Sequence, residues 1–89
     1  MTPAHASAMP NGPKIRAALL DPAKDYNHRF GDVVFFLEST GWRKRTTGGH
    51  HIFTRPGLPV LINLQPEKSG RAKAYQIRQV RTVRISHNL

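Results

Sequence analysis

Two adjacent glycines, Gly48 and Gly49, constrain the fold of this chain more than any other feature. They separate a basic segment, Trp42-Arg43-Lys44-Arg45-Thr46, from His50-His51-Ile52-Phe53-Thr54. A glycine pair accepts the positive φ angles of a tight hairpin turn, which residues with a Cβ resist. Thr47-Gly48-Gly49 is therefore expected to fold the flanking segments together as antiparallel strands. A second turn, Pro56-Gly57-Leu58-Pro59, precedes the apolar run Val60-Leu61-Ile62-Asn63-Leu64, which reads as a third strand. Gln65 to Gly70 follows as a polar loop.

Helical periodicity flanks these strands. From Phe30, apolar or β-branched residues recur at Val33, Val34, Leu37 and Thr40, an i, i+3, i+4, i+7 pattern of about three turns. Val33-Val34-Phe35-Phe36 would suit a strand by composition. The spacing favours a helix, and Gly41 stands where a left-handed C-cap is wanted. Ala72 to Ser86 reads as a last helix, with Ile77, Val80 and either Val83 or Arg84 inward and Arg71, Arg78 and Arg81 on the opposite face. A shorter helix is expected from Pro13, with Ile15, Leu19 and Leu20 on one face, stopped at Asp21-Pro22. The order is α-β-β-β-α, an α+β fold with a three-stranded antiparallel sheet and helices on one face. Residues 1–12 are expected to be a disordered lead-in, residues 13–27 the short helix and a connector, and residues 28–89 the main body.

The chain has room for one small domain of 89 residues. Its net charge of +9 is unevenly placed. Residues 1–42 balance Lys14, Arg16, Lys24 and Arg29 against Asp21, Asp25, Asp32 and Glu38, whereas residues 43–89 set ten cations against Glu67 alone. All the excess therefore lies in the half that holds the histidine pair. Such a field favours a polyanionic partner, nucleic acid above all. Without cysteine there is neither a disulfide nor a Cys-ligated zinc site. No apolar run approaches the roughly 18 residues of a membrane span. Met1 to Pro13 does not read as a signal peptide, so a cytoplasmic setting is the default.

Histidine can take and give a proton near neutral pH, so His50 and His51 in a cationic surround suggest proton transfer on a polyanion. A histidine beside a glycine turn is, taken alone, more often a surface or hydrogen-bonding residue than a catalyst. Strand alternation with Ile52 inward sends His50 to the core side and leaves His51 exposed with Phe53 and Arg55. His5, His28 and His87 have no partner in the local sequence, and Phe35, Phe36 and Phe53 read as core. No carboxylate stands at a spacing that would complete a metal site with the histidines.

Taken in order, several segments resemble the HicA toxin family, and more narrowly its YcfA-type branch. They are Phe30…Leu37-Glu38…Gly41-Trp42, Gly48-Gly49-His50-His51-Ile52-Phe53, Leu61-Ile62-Asn63-Leu64-Gln65 and Gly70-Arg71-Ala72-Lys73-Ala74-Tyr75-Gln76-Ile77-Arg78-Gln79-Val80. Members of that branch read Gly-Ser-His-His-Ile-Phe, Leu-Val-Asn-Leu-Gln and Ala-Lys-Pro-Tyr-Gln-Val-Arg-Gln. The likeness covers residues 28 to 89, about two-thirds of the chain. Gly49 stands in place of the usual Ser and Ala74 in place of Pro, and Arg81 to Ser86 is less regularly apolar than the family pattern.

The resemblance implies a fold like the double-stranded-RNA-binding domain. It implies a ribosome-independent mRNA interferase, the toxin of a type II toxin–antitoxin system, silenced by a HicB-type antitoxin protein. The essential histidine of the family motif falls on His50, while strand alternation points to His51; a glycine-induced bulge before the strand would reconcile them, so His50 is the catalytic candidate and His51 its alternative. Neither metal nor cofactor is expected. Arg43, Lys44, Arg45, Gly48, Gly49, Arg55, Arg71, Lys73 and Arg78 are the expected contacts to mRNA. A non-catalytic RNA-binding module, or a degenerate toxin that only binds its antitoxin, is the alternative.

Overall fold

The computed structural model describes residues 12–89 of the chain. The lead-in expected over residues 1–12 lies outside the described residues, except that Gly12 opens the first helix. Helix α1 (Gly12–Leu19) carries Pro13 in its first turn and buries Ile15 and Leu19. Leu20, expected on the same face, lies beyond the helix and is 42% exposed. Asp21 ends α1 and starts a single 3-10 turn (Pro22–Lys24), its carboxylate accepting the Ala23 N–H at 3.0 Å.

Helix α2 (Phe30–Ser39) forms where the three-turn pattern predicts it and buries Phe30, Val33, Phe36 and Leu37. Phe36, rather than Val34, completes the inner row; Val34 packs only at the margin. Gly41 adopts φ +100°. The Trp42 N–H donates to Leu37 C=O at 3.0 Å and the Gly41 N–H to Glu38 C=O at 3.3 Å, the paired bonds of a Schellman ending. That ending turns the chain into the sheet and buries Trp42 beside Leu37.

Strands β1 (Arg43–Thr47), β2 (His50–Thr54) and β3 (Leu61–Leu64) form an antiparallel sheet with β2 in the centre. Gly48 (φ +53°) and Gly49 (φ +86°) make the two-residue turn between β1 and β2, with Thr47 opposite His50. Both positive angles suit a type I′ turn, whose twist matches that of the strands. Register sets Phe53 between Lys44 and Ile62, and Ile52 between Arg45 and Asn63. Phe53, Ile62 and Leu64 join the core with the helices, so Phe53 is core as its side chain suggested, and Ile52, which the alternation had set inward, is not. The whole strand is thereby turned over relative to the alternation read from sequence.

Helix α3 (Ala74–Ser86) begins two residues later than its periodicity suggests. The preceding residues are held extended: Arg29 and Arg71 form a bridge, the Ala72 N–H donates to His28 C=O at 2.9 Å, and buried Ala72 joins the core. The inner face of α3 carries Gln76, Ile77, Val80 and Arg84, so Arg84 rather than Val83 points inward. Turned to suit its neighbours, the Gln76 carboxamide bonds the N–H and C=O of Gln65 at 3.0 and 3.1 Å, tying α3 to the end of β3. Arg81, expected on the solvated face, instead grips buried Asp25 through two bonds of 2.8 and 3.2 Å and also donates to Leu19 C=O. This pair fastens the connector to α3. Among the described residues, no helix is long and apolar enough to cross a membrane.

Candidate nucleic-acid interface

The helices cover one face of the sheet and leave the other open. On the open face, the strand register collects Arg43, Arg45 and Thr47 from β1, His50, Ile52 and Thr54 from β2, and Leu61 and Asn63 from β3. None of the three strands contains a carboxylate. The face is therefore cationic, with an imidazole at the end beside the glycine turn.

His50 is exposed, and its Nδ1 lies 3.2 Å from Asn63 Oδ1. An amide oxygen only accepts, so Nδ1 carries the proton in this bond. In the neutral ring, Nε2 is then left with a free lone pair. Asn63 thereby orients the His50 ring, a contact the sequence reading did not anticipate. The available signal was a polar, weakly β-forming residue inside an otherwise apolar strand.

His51 has the opposite fate. It is half-buried on the helix side, its ring edge-on to Phe30 with centroids 4.8 Å apart and planes at 63°. Its Nδ1 is buried and has no hydrogen-bond partner among the described residues. The exposed imidazole is thus His50, and the alternation that favoured His51 fails because Phe53 outcompetes Ile52 for the core.

The expected RNA contacts divide into groups. Arg43 and Arg45 share the His50 face, and Gly48 and Gly49 form the turn beside it. A Cβ on Gly49 would meet the Gln65 side-chain nitrogen at 3.7 Å, an ordinary contact, so the requirement for glycine is one of backbone angle. Lys44 follows Phe53 in register and projects from the other face of the edge strand, still exposed. Arg71 lies across from Arg29, another cation the sequence reading passed over. Both line an open cleft of about 550 Å³ beside the start of α2, together with Asp32 and Ser69. Lys73 is the N-cap residue of α3. Arg78 stands 3.7 Å from Asp25, so its charge is partly committed. Arg55 lies at the far end of β2, five residues and roughly 16 Å of strand from His50.

His28 and Asp25 are buried in the connector. The bonds from Arg81 hold the Asp25 carboxyl below its usual range, while burial pushes the His28 imidazole down. Both serve the fold rather than the open face. Among the described residues, no three histidine, cysteine or carboxylate side chains gather where a metal ion would sit. Compared with known proteins, the chain matches no family model, no curated protein and no solved structure.

Proposed function

We propose that this protein is a metal-independent endoribonuclease of the mRNA-interferase kind, the toxin of a type II toxin–antitoxin pair. The observation that carries this reading is one oriented imidazole, His50 held by Asn63, exposed on a cationic sheet face free of carboxylates. The ordered resemblance to HicA-type sequences, whose motif includes His50 itself, points the same way.

In the proposed step, His50 Nε2 takes the proton of a ribose 2′-hydroxyl. The 2′-oxygen attacks the adjacent phosphorus, and the bond to the leaving 5′-oxygen breaks as that oxygen takes a proton from water. The products are a 2′,3′-cyclic phosphate and a 5′-hydroxyl end. Arg43 and Arg45 hold the backbone phosphates and offset the charge of the phosphorane. Need for a 2′-hydroxyl selects RNA over DNA. One base without a partnered acid contributes about 10²- to 10⁴-fold in rate, which makes a slow enzyme. Slow cleavage suits a toxin that arrests translation in the cytoplasm, and a HicB-type antitoxin seated on the open face would block it.

A non-catalytic RNA-binding module on the same face is the second reading. It is favoured by the withdrawal of His51, which leaves a single accessible imidazole. The two readings separate on incubation of purified protein with RNA in EDTA. The nuclease yields fragments ending in cyclic phosphate and leaves the matching DNA intact; the binding module shifts the RNA in a gel without shortening it.

A further inference from the structure

A second group of cations lies at the opposite end of the sheet from the glycine turn. Arg16 in the last turn of α1, Arg55 just past β2 and Arg84 in the last turn of α3 line one cavity of about 420 Å³. Thr40, Trp42, Asn88 and Leu89 complete its wall, and no Asp or Glu side chain lines it. Arg84 is only 4% exposed, and its guanidinium lies 4.7 Å over the Phe36 ring. One of its terminal nitrogens, Nη2, donates to the main-chain oxygen of Leu89 at 3.0 Å. The other, Nη1, is buried and has no hydrogen-bond partner among the described residues. Arg55 is held against the turn at Gly41, where a Cβ would come within 3.4 Å of its Nε.

A buried guanidinium with an idle N–H group is costly unless something answers it. Within the chain, the Phe36 ring and the Leu89 main-chain oxygen answer part of that charge. Residues 1–11 contain no acidic side chain, none of the five Asp and Glu side chains of the sequence lines the cavity, and the Leu89 main-chain oxygen answers only Nη2. The charge of Arg84 is itself disfavoured there, first by burial and then by the field of Arg16. Cations near helix C-termini offset the helix dipole, which accounts for a surface Arg16. That effect explains neither the idle Nη1 nor Arg55, which belongs to no helix. Three guanidiniums around one space match a dianion with several acceptor oxygens better than a single carboxylate.

We propose that this cavity is a phosphate-binding site, separate from the His50 face and independent of cleavage there. Its ligand is a phosphate group, carried either by a small molecule or by the 5′ end of an RNA. Trp42 is the only tryptophan in the chain and forms part of the wall, so its fluorescence reports on occupancy. The experiment titrates the full chain with inorganic phosphate against sodium chloride at matched ionic strength and pH. A saturable response specific to phosphate is expected. It should weaken about tenfold or more in Arg55→Gln and in Arg16→Gln, both at partly or fully exposed positions, with circular dichroism unchanged. His50→Ala should leave the response intact. An RNA oligomer with a 5′-phosphate, compared with its dephosphorylated form, identifies the source. Tighter binding that Arg55→Gln erases indicates an RNA end, and equal binding indicates a free phosphate compound. A response to phosphate no different from that to chloride would overturn the proposal. So would a response retained in both arginine variants, or one lost in His50→Ala.

Discussion

His50 and His51 are chemically the same side chain one residue apart, yet the pleat of β2 gives them opposite lives. His50 faces solvent, hydrogen-bonded to Asn63 among arginines and threonines. His51 lies under the helices, edge-on to Phe30 with one nitrogen unanswered. The two faces of the sheet repeat that contrast on a larger scale. Phe53, Ile62 and Leu64 hold one face to the core, while the other presents cations, hydroxyls and an amide. In this strand the apolar residue that turns inward, Phe53, decides which imidazole faces solvent.

The largest effect should come from testing the faces themselves. Phe53→Ala is expected to cost about 3–5 kcal/mol in denaturant unfolding, because it empties a fully buried site. Ile52→Ala, one residue away on the open face, should cost no more than about 1.5 kcal/mol. Equal losses would break the assignment of faces. Asn63→Ala should slow RNA cleavage by up to about tenfold, the worth of one orienting hydrogen bond, with stability changed by less than about 0.5 kcal/mol. A smaller and opposite effect is expected of His51→Phe. It keeps the ring against Phe30 and removes the unanswered nitrogen, so unfolding should be unchanged or up to about 1 kcal/mol harder, with cleavage retained.

Acid supplies a control that belongs to neither face. Burial lowers the His28 imidazole in the fold, so below the usual value of 6.5 the unfolded chain binds a proton that the folded chain does not. Stability accordingly falls as pH drops through that window. Asp25, held down first by its bonds to Arg81, adds stability above its usual value of 3.8 and loses it as pH falls through its lower folded value. His28→Gln should flatten the upper part of this decline in a pH series of thermal melts.

Much of the fold was legible because it is local. The three-turn pattern from Phe30, the glycine ending at Gly41 and the Gly48-Gly49 turn each act through neighbours in sequence. The orientation of β2 was not legible, since Ile52 and Phe53 are adjacent apolar residues and a period of two accepts either. Pairing with β3 decides it: Ile62 and Leu64 face inward with Phe53, and Asn63 faces outward with Ile52. Arg81 was misread for a related reason. Its partner, Asp25, lies 56 residues away, and no local pattern links them. The late start of α3 has the same origin, because pairing with residues 28–29 holds residues 71–72 extended. Of the candidate site, the histidine pair and the arginines of β1 were visible; Asn63, Arg29 and the separation of Arg55 from His50 needed the register.

The most direct measurement is the single-turnover rate of RNA cleavage in EDTA by the parent, His50→Ala and His51→Ala. An exposed His50 acting as the base requires a fall of about 10²- to 10⁴-fold in His50→Ala, with His51→Ala within a few-fold of the parent once each is shown to be folded. Cleavage undiminished in His50→Ala, or abolished only in a folded His51→Ala, would contradict it.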